Sequence, residues 1–101
     1  MMADNQEVDG FVGDEGTEIL IDAGENLTTQ TVLKMKYRKH DGSTGEVDAT
    51  VFENRYAKYL TEAGFFNTKG IYKAQIYVEM PNWKGHGDFV YLNIEEPISV
   101  V

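Results

Sequence analysis

Apolar and polar residues alternate one for one along several short stretches of this chain. In 32–39, Leu33, Met35 and Tyr37 face one way and Lys34, Lys36 and Arg38 the other. Period-two alternation with one polar face is the pattern of an antiparallel, half-buried strand. The stretch 46–52 repeats it with Val47, Ala49 and Val51, and Asp41-Gly42 between the two marks a hairpin with a loop longer than a tight two-residue turn. The longest run, 71–80, sets Tyr72, Ala74, Ile76 and Val78 against Lys73, Gln75 and Glu79. In 88–94, Val90, Leu92 and Ile94 share a face, and the glycine-rich 81–87 reads as the hairpin tip joining these last two runs. Residues 18–22 and 10–13 read as shorter strands.

Turn signals punctuate the chain at short, regular intervals, among them Asp9-Gly10, Asp22-Ala23-Gly24, Ala63-Gly64, Lys69-Gly70 and Pro81-Asn82. Only 54–66 also fits a helix, with Tyr56, Tyr59, Leu60 and Ala63 at helical spacing. A strand over 56–61 is preferred, because its neighbours are strands and a lone helix would break the turn rhythm. Phe65 and Phe66 are adjacent, so on an extended chain one points into the core and the other away. Short strands with turns every 8–12 residues are the signature of a sandwich or barrel. The expectation is an all-β, immunoglobulin-like sandwich of about seven antiparallel strands. Its expected division is an acidic arm over 1–9, the sandwich over 10–96 and a tail over 97–101.

Composition narrows the picture. The chain has 101 residues, enough for one domain with one core, and no cysteine, which excludes disulfides, thiol nucleophiles and zinc ribbons. No apolar run approaches the roughly 20 residues that span a bilayer, and the start has no basic and apolar leader pattern. No membrane partner is expected. The net charge of −8 is uneven: residues 1–25 hold eight carboxylates and no Lys or Arg, while the remainder holds nine acids and nine bases. An acidic surface serves solubility or docks on a basic partner, and it disfavours nucleic acid, whose phosphates need clustered positive charge. Lys34, Lys36 and Arg38 are the local exception, read as the solvent side of a strand.

Two resemblances follow from particular residues. Thr68-Lys69-Gly70-Ile71-Tyr72-Lys73-Ala74 resembles the tyrosine-corner segment of immunoglobulin-like domains. The resemblance implies that Gly70 lets the chain enter the strand tightly and that Tyr72 returns its hydroxyl to nearby backbone. Thr68 stands where Asp is usual, and Ala74 stands where antibody domains carry cysteine, so packing alone must hold the core. More broadly, residues from about 13 to 94 resemble small immunoglobulin-like proteins encoded among bacteriophage and prophage structural genes. The features are Gly13-Asp14-x-Gly16-Thr17-Glu18-Ile19, Asp22-x-Gly24-Glu25-Asn26-Leu27, Tyr37-Arg38-Lys39-x-Asp41-Gly42, Gly70-x-Tyr72-Lys73-x-Gln75-x-Tyr77-Val78-Glu79 and Trp83-Lys84-Gly85-His86-Gly87. His40 stands where that family commonly has Pro. The resemblance implies a virion-associated role in head, neck, tail or baseplate, assembled in the host cytoplasm, and it brings no catalytic residues.

Candidate chemistry is sparse. His40 and His86 lack the local spacing of a metal site, Ser43 and Ser99 lack a nucleophile elbow, and Gly85-His86-Gly87 lacks the ending of a phosphate loop. Asp14, Glu15 and Glu18 lack EF-hand spacing. No enzyme, metal or cofactor is expected. Trp83, an aromatic on a loop, and the acidic Asp14, Glu15 and Glu18 are the candidate interface residues. The leading expectation is a noncatalytic phage structural protein that binds other phage structural proteins, with self-association left open. The alternatives are a carbohydrate- or host-surface-binding module using Trp83, Tyr77 or Tyr91, and a free binder of a host protein.

Overall fold

A computed structural model describes residues 7–98. Among them the chain forms eight strands and no helix: β1 (Glu7–Phe11), β2 (Glu18–Asp22), β3 (Val32–Arg38), β4 (Thr44–Asp48), β5 (Thr50–Phe52), β6 (Tyr56–Leu60), β7 (Gly70–Met80) and β8 (Trp83–Glu95). They build two sheets, a five-stranded one in the order β1-β8-β7-β3-β4 and a three-stranded one in the order β2-β6-β5. The all-β expectation holds, and the ambiguous segment contains strand β6.

The alternation read from sequence explains how the sheets face one another. Leu33 and Met35 of β3, Tyr72, Ala74, Ile76 and Val78 of β7, and Val90, Leu92 and Ile94 of β8 are buried. They meet Ile19 and Ile21 of β2 and Ala57 of β6 in one core. Two sheets with a common apolar interior make a sandwich-like fold. Leu27, Phe65 and Phe66 close it from the connections. Thr61 is the one buried polar residue among those described, and its hydroxyl accepts from the Thr17 amide at 3.0 Å.

Four differences from expectation have physical causes. Residues 46–52 are two strands rather than one, which raises the count to eight. The chain leaves the larger sheet after Asp48 and joins the smaller one at Thr50. Ala49 sits at the crossing, its amide bonded to Leu33 O at 3.1 Å. The sheets are not wholly antiparallel either, since β1 runs parallel to β8, with Glu7 opposite Tyr91 and Phe11 opposite Glu95. Pairing therefore starts inside the stretch expected to be an arm; its residues 1–6, and 99–101 of the tail, lie outside the described residues. Phe65 and Phe66 are both buried, because they sit in a turn rather than on extended chain. Gly64 there has φ 85° and the Phe65 amide bonds Glu62 O. Finally, 83–87 is strand, not loop, and the β7–β8 connection is reduced to Pro81-Asn82.

Tyr72 is fully buried and its hydroxyl is heavily used. It donates to Thr68 O at 2.7 Å and accepts from the amides of Asn67 and Thr68, each at 3.1 Å. Gly70, at φ 135°, turns the chain into β7, and the His40 ring lies where a side chain at 70 would project. The ring of Tyr72 thus fills the core while its oxygen ties down the segment that precedes its own strand.

Candidate functional site

The outward face of the five-stranded sheet gathers most of the chain's unusual surface chemistry. Strand geometry sends Lys34, Lys36 and Arg38 of β3 outward, and register places them beside outward residues of β7 and β8. Arg38 is opposite Lys73, which is opposite Tyr91; Lys36 is opposite Gln75, which is opposite Phe89; Lys34 is opposite Tyr77, which is opposite His86. Phe11 and Ile71 lie outward on the same face. Four of the seven exposed large hydrophobic side chains among the described residues, Phe11, Ile71, Phe89 and Tyr91, therefore share one surface. Scattered apolar residues need no explanation; a grouping on one face makes that face the candidate interaction surface.

A β-bulge makes the grouping possible. Register shifts between Gln75 and Tyr77, where β8 carries one extra residue around Gly87-Asp88. Without that residue, the side-chain period of two would turn either Phe89 or His86 inward. Gly87 is required at this point: a Cβ there would come 2.8 Å from Ile76 Cγ1 in the core.

Lys36 and Lys73 on this face are held by rings rather than by carboxylates. Lys73 Nζ stands 4.0 Å from the Phe89 ring centre and 5.8 Å from that of Tyr91. Lys36 Nζ stands 4.8 Å from the Tyr77 ring centre and 3.0 Å from His86 Nε2. An ammonium has only donors, so His86 accepts at Nε2. Gln75 donates to Gly87 O at 2.9 Å. At the margin, Lys34 pairs with Asp48 at 2.6 Å, and this hydrogen bond raises the lysine above its ordinary range. Tyr77 donates to Glu79 Oε2 at 2.7 Å, a bond that likewise raises the phenol. Between Lys36, Arg38, Lys73, Gln75, Phe89 and Glu46 lies an open depression of about 520 Å³. The depression thus brings together aromatic, cationic and amide side chains, with Glu46 opposite Lys36 at its edge.

The candidate interface residues do not converge. Trp83 is 39% exposed at the β7–β8 turn, its indole lying over Gly85. Asp14 and Glu15 are in the β1–β2 turn at the other end of β8, about 40 Å away at roughly 3.3 Å per residue. Glu18 opens β2, with its carboxylate 3.4 Å from Lys58 Nζ. Asp14 accepts from the Phe11 amide at 3.2 Å, which shapes its turn. His40 packs at the start of β7 and His86 faces Tyr77 seven residues further along that strand, so the histidines are separated. No group of three or more His, Cys, Asp or Glu among the described residues is placed to hold a metal ion. The stripe Lys34, Lys36 and Arg38 was legible in sequence; its neighbours Lys73 and Phe89 were not, because cross-strand register is not a local signal.

No protein-family model matches the chain, and no curated protein matches it.

Proposed function

We propose that the chain is an immunoglobulin-like, noncatalytic structural component of a bacteriophage particle, binding other particle proteins through the outward face of its five-stranded sheet. The observation that carries this reading is the grouping of exposed aromatic residues and ring-held cations on one face. Aromatic side chains and arginine are enriched at interfaces while lysine is depleted there, so Phe89, Tyr91 and Arg38 support the reading, and Lys36 and Lys73 add charge selectivity. The strand order supports the immunoglobulin part. The smaller sheet matches the B-E-D half of such a sandwich, and the larger matches the C-F-G half with an added neighbour and a first strand moved across to pair with the last. The phage part rests on the sequence resemblance. Fold by itself does not choose a function.

The test is quantitative mass spectrometry of particles purified from the host that carries the gene. The expected result is copurification, at hundreds of copies for a capsid decoration and tens or fewer for neck, tail or baseplate. Expression during infection with absence from particles would overturn the role and favour a free binder of a host protein, which pulldown from host lysate would identify.

A glycan-binding reading has one observation in its favour, the exposed pair Phe89 and Tyr91 on adjacent outward positions of β8. Against it, Lys73 already occupies the face of Phe89 that a sugar would stack on. A glycan array with no hits would remove this reading.

A further inference from the structure

Three ion pairs join described residues: Lys34–Asp48, Arg55–Asp22 and Lys58–Glu18. Lys36, Arg38 and Lys73 take part in none of them. Aromatic rings steady the Lys36 and Lys73 ammonium groups instead, and a ring positions a cation without cancelling its charge. Around its depression the outward face therefore presents the ring-held charges of Lys36 and Lys73 together with Arg38, while the exposed carboxylates Asp9 and Glu95 lie further along the face, at β1 and beside it. Glu46, opposite Lys36 on the edge strand β4, is the carboxylate at its rim.

Opposite charge is displayed elsewhere on the same molecule. The β1–β2 turn carries Asp14 and Glu15, and the bond from the Gly16 amide to Thr61 O sets the turn beside Glu62. All three carboxylates are exposed and belong to none of the ion pairs above. They lie at one end of the sandwich, where Asp14 also accepts from the Phe11 amide through one carboxylate oxygen. Phe11, just before this turn, pairs with Glu95, four residues along β8 from the Tyr91 that faces Lys73. That offset, about 13 Å along the strand alone, keeps the turn off its own depression.

We propose that the β1–β2 turn of one copy, with Asp14, Glu15 and the neighbouring Glu62, docks in the cationic depression on the outward face of a second copy. The inference rests on the reading of that face as the binding surface. Turn and face are different patches, so the contact is heterologous and either closes into a ring or continues as an open chain. Both arrangements suit a repeated component. At about 0.15 M salt the screening length is about 8 Å, so the net negative charge of the two copies is largely screened while direct contact pairs persist.

Sedimentation velocity of the full chain from about 10 µM to about 1 mM reads the contact in the range of weak affinities. The sedimentation coefficient is expected to rise with concentration past that of a dimer. K36E/K73E and D14K/E15K are each expected to weaken association roughly tenfold or more, since each reverses two contact charges. An equimolar mixture of the two variants is expected to restore it, because each then offers a face complementary to the other's turn. Circular dichroism melts establish that both variants are folded, and K36Q/K73Q removes the two lysine charges of the face without reversing them, leaving Arg38. A monomer throughout the range, association unmoved by either pair, or a mixture without restoration would each overturn the inference. A monomeric chain that is nevertheless present in particles overturns this inference alone; a self-associating chain absent from particles overturns the proposed role alone.

Discussion

Replacing Tyr72 with phenylalanine removes one oxygen and leaves a ring that fills the same space. That oxygen donates to Thr68 O at 2.7 Å and accepts from two backbone amides at 3.1 Å. A typical intramolecular hydrogen bond contributes about 1 kcal/mol net, and a buried group left unpaired costs about 1–3 kcal/mol. Asn67 is exposed and Thr68 is half-buried, so water recovers part of the loss at the two amides. The expected destabilisation is therefore about 2 kcal/mol, equivalent to a fall in Tm of roughly 8–16 °C for a domain of this size. Urea unfolding followed by circular dichroism measures it, with an unchanged slope against denaturant because the buried area is preserved. Tyr77→Phe is the matched control. It loses a hydroxyl bonded to Glu79 on the open face, and it is expected to cost under about 1 kcal/mol. A Tyr72→Phe protein within about 0.5 kcal/mol of wild type, or no worse than the control, would refute the reasoning.

Gly87→Ala is expected to cost about 1–3 kcal/mol by overpacking, since the new Cβ would meet Ile76 in the core; Gly24→Ala, in an open turn, isolates the separate cost of a positive φ without a clash. Phe66→Ala should cost about 3–5 kcal/mol, because Phe66 is fully buried and packs edge-on against Tyr72 at 5.8 Å between ring centres. Asp22 is held below its usual carboxylate range, first by the hydrogen bond from Arg55 at 2.7 Å and then by the Gly24 amide and the charge of Arg55, against opposition from burial. A depressed native value means that its contribution is complete above the unfolded value of about 3.9 and is lost as pH falls through the native one. Asp22→Asn should lower the urea midpoint at pH 7 and flatten its decline on acidification. The effect is small, because both side chains are partly exposed and solvent screens them.

Local patterning carried the strands whose neighbours did not matter. Residues 18–22 announce β2 by Ile19 and Ile21, and the alternation of Leu33 and Met35 with lysines announces β3. Where the outcome depended on distant partners, the sequence was silent. Nothing in Val47, Ala49 and Val51 says that the chain changes sheets between them, since all three keep the inward period. The parallel pairing of β1 joins residues more than eighty positions apart, and strand direction leaves no mark on alternation. Gly85-His86-Gly87 has the composition of a loop, yet the glycines admit Trp83 on one side and Ile76 on the other within a bulged strand. The candidate face follows the same rule: its lysine stripe is local, but the aromatic half arrives only through the β7–β8 register.

The most direct test of the binding surface places a photo-crosslinking phenylalanine analogue at Phe89, on the outward face of the larger sheet. A second chain carries it at Leu60, which is 52% exposed on the smaller sheet. Each is expressed in the host during particle assembly, and purified particles are irradiated and digested for mass spectrometry. The expected result is crosslinks from position 89 to a particle protein, another copy of the chain included, and few or none from position 60. Crosslinks from position 60 with none from position 89, or particles that lack the chain, would contradict the assignment.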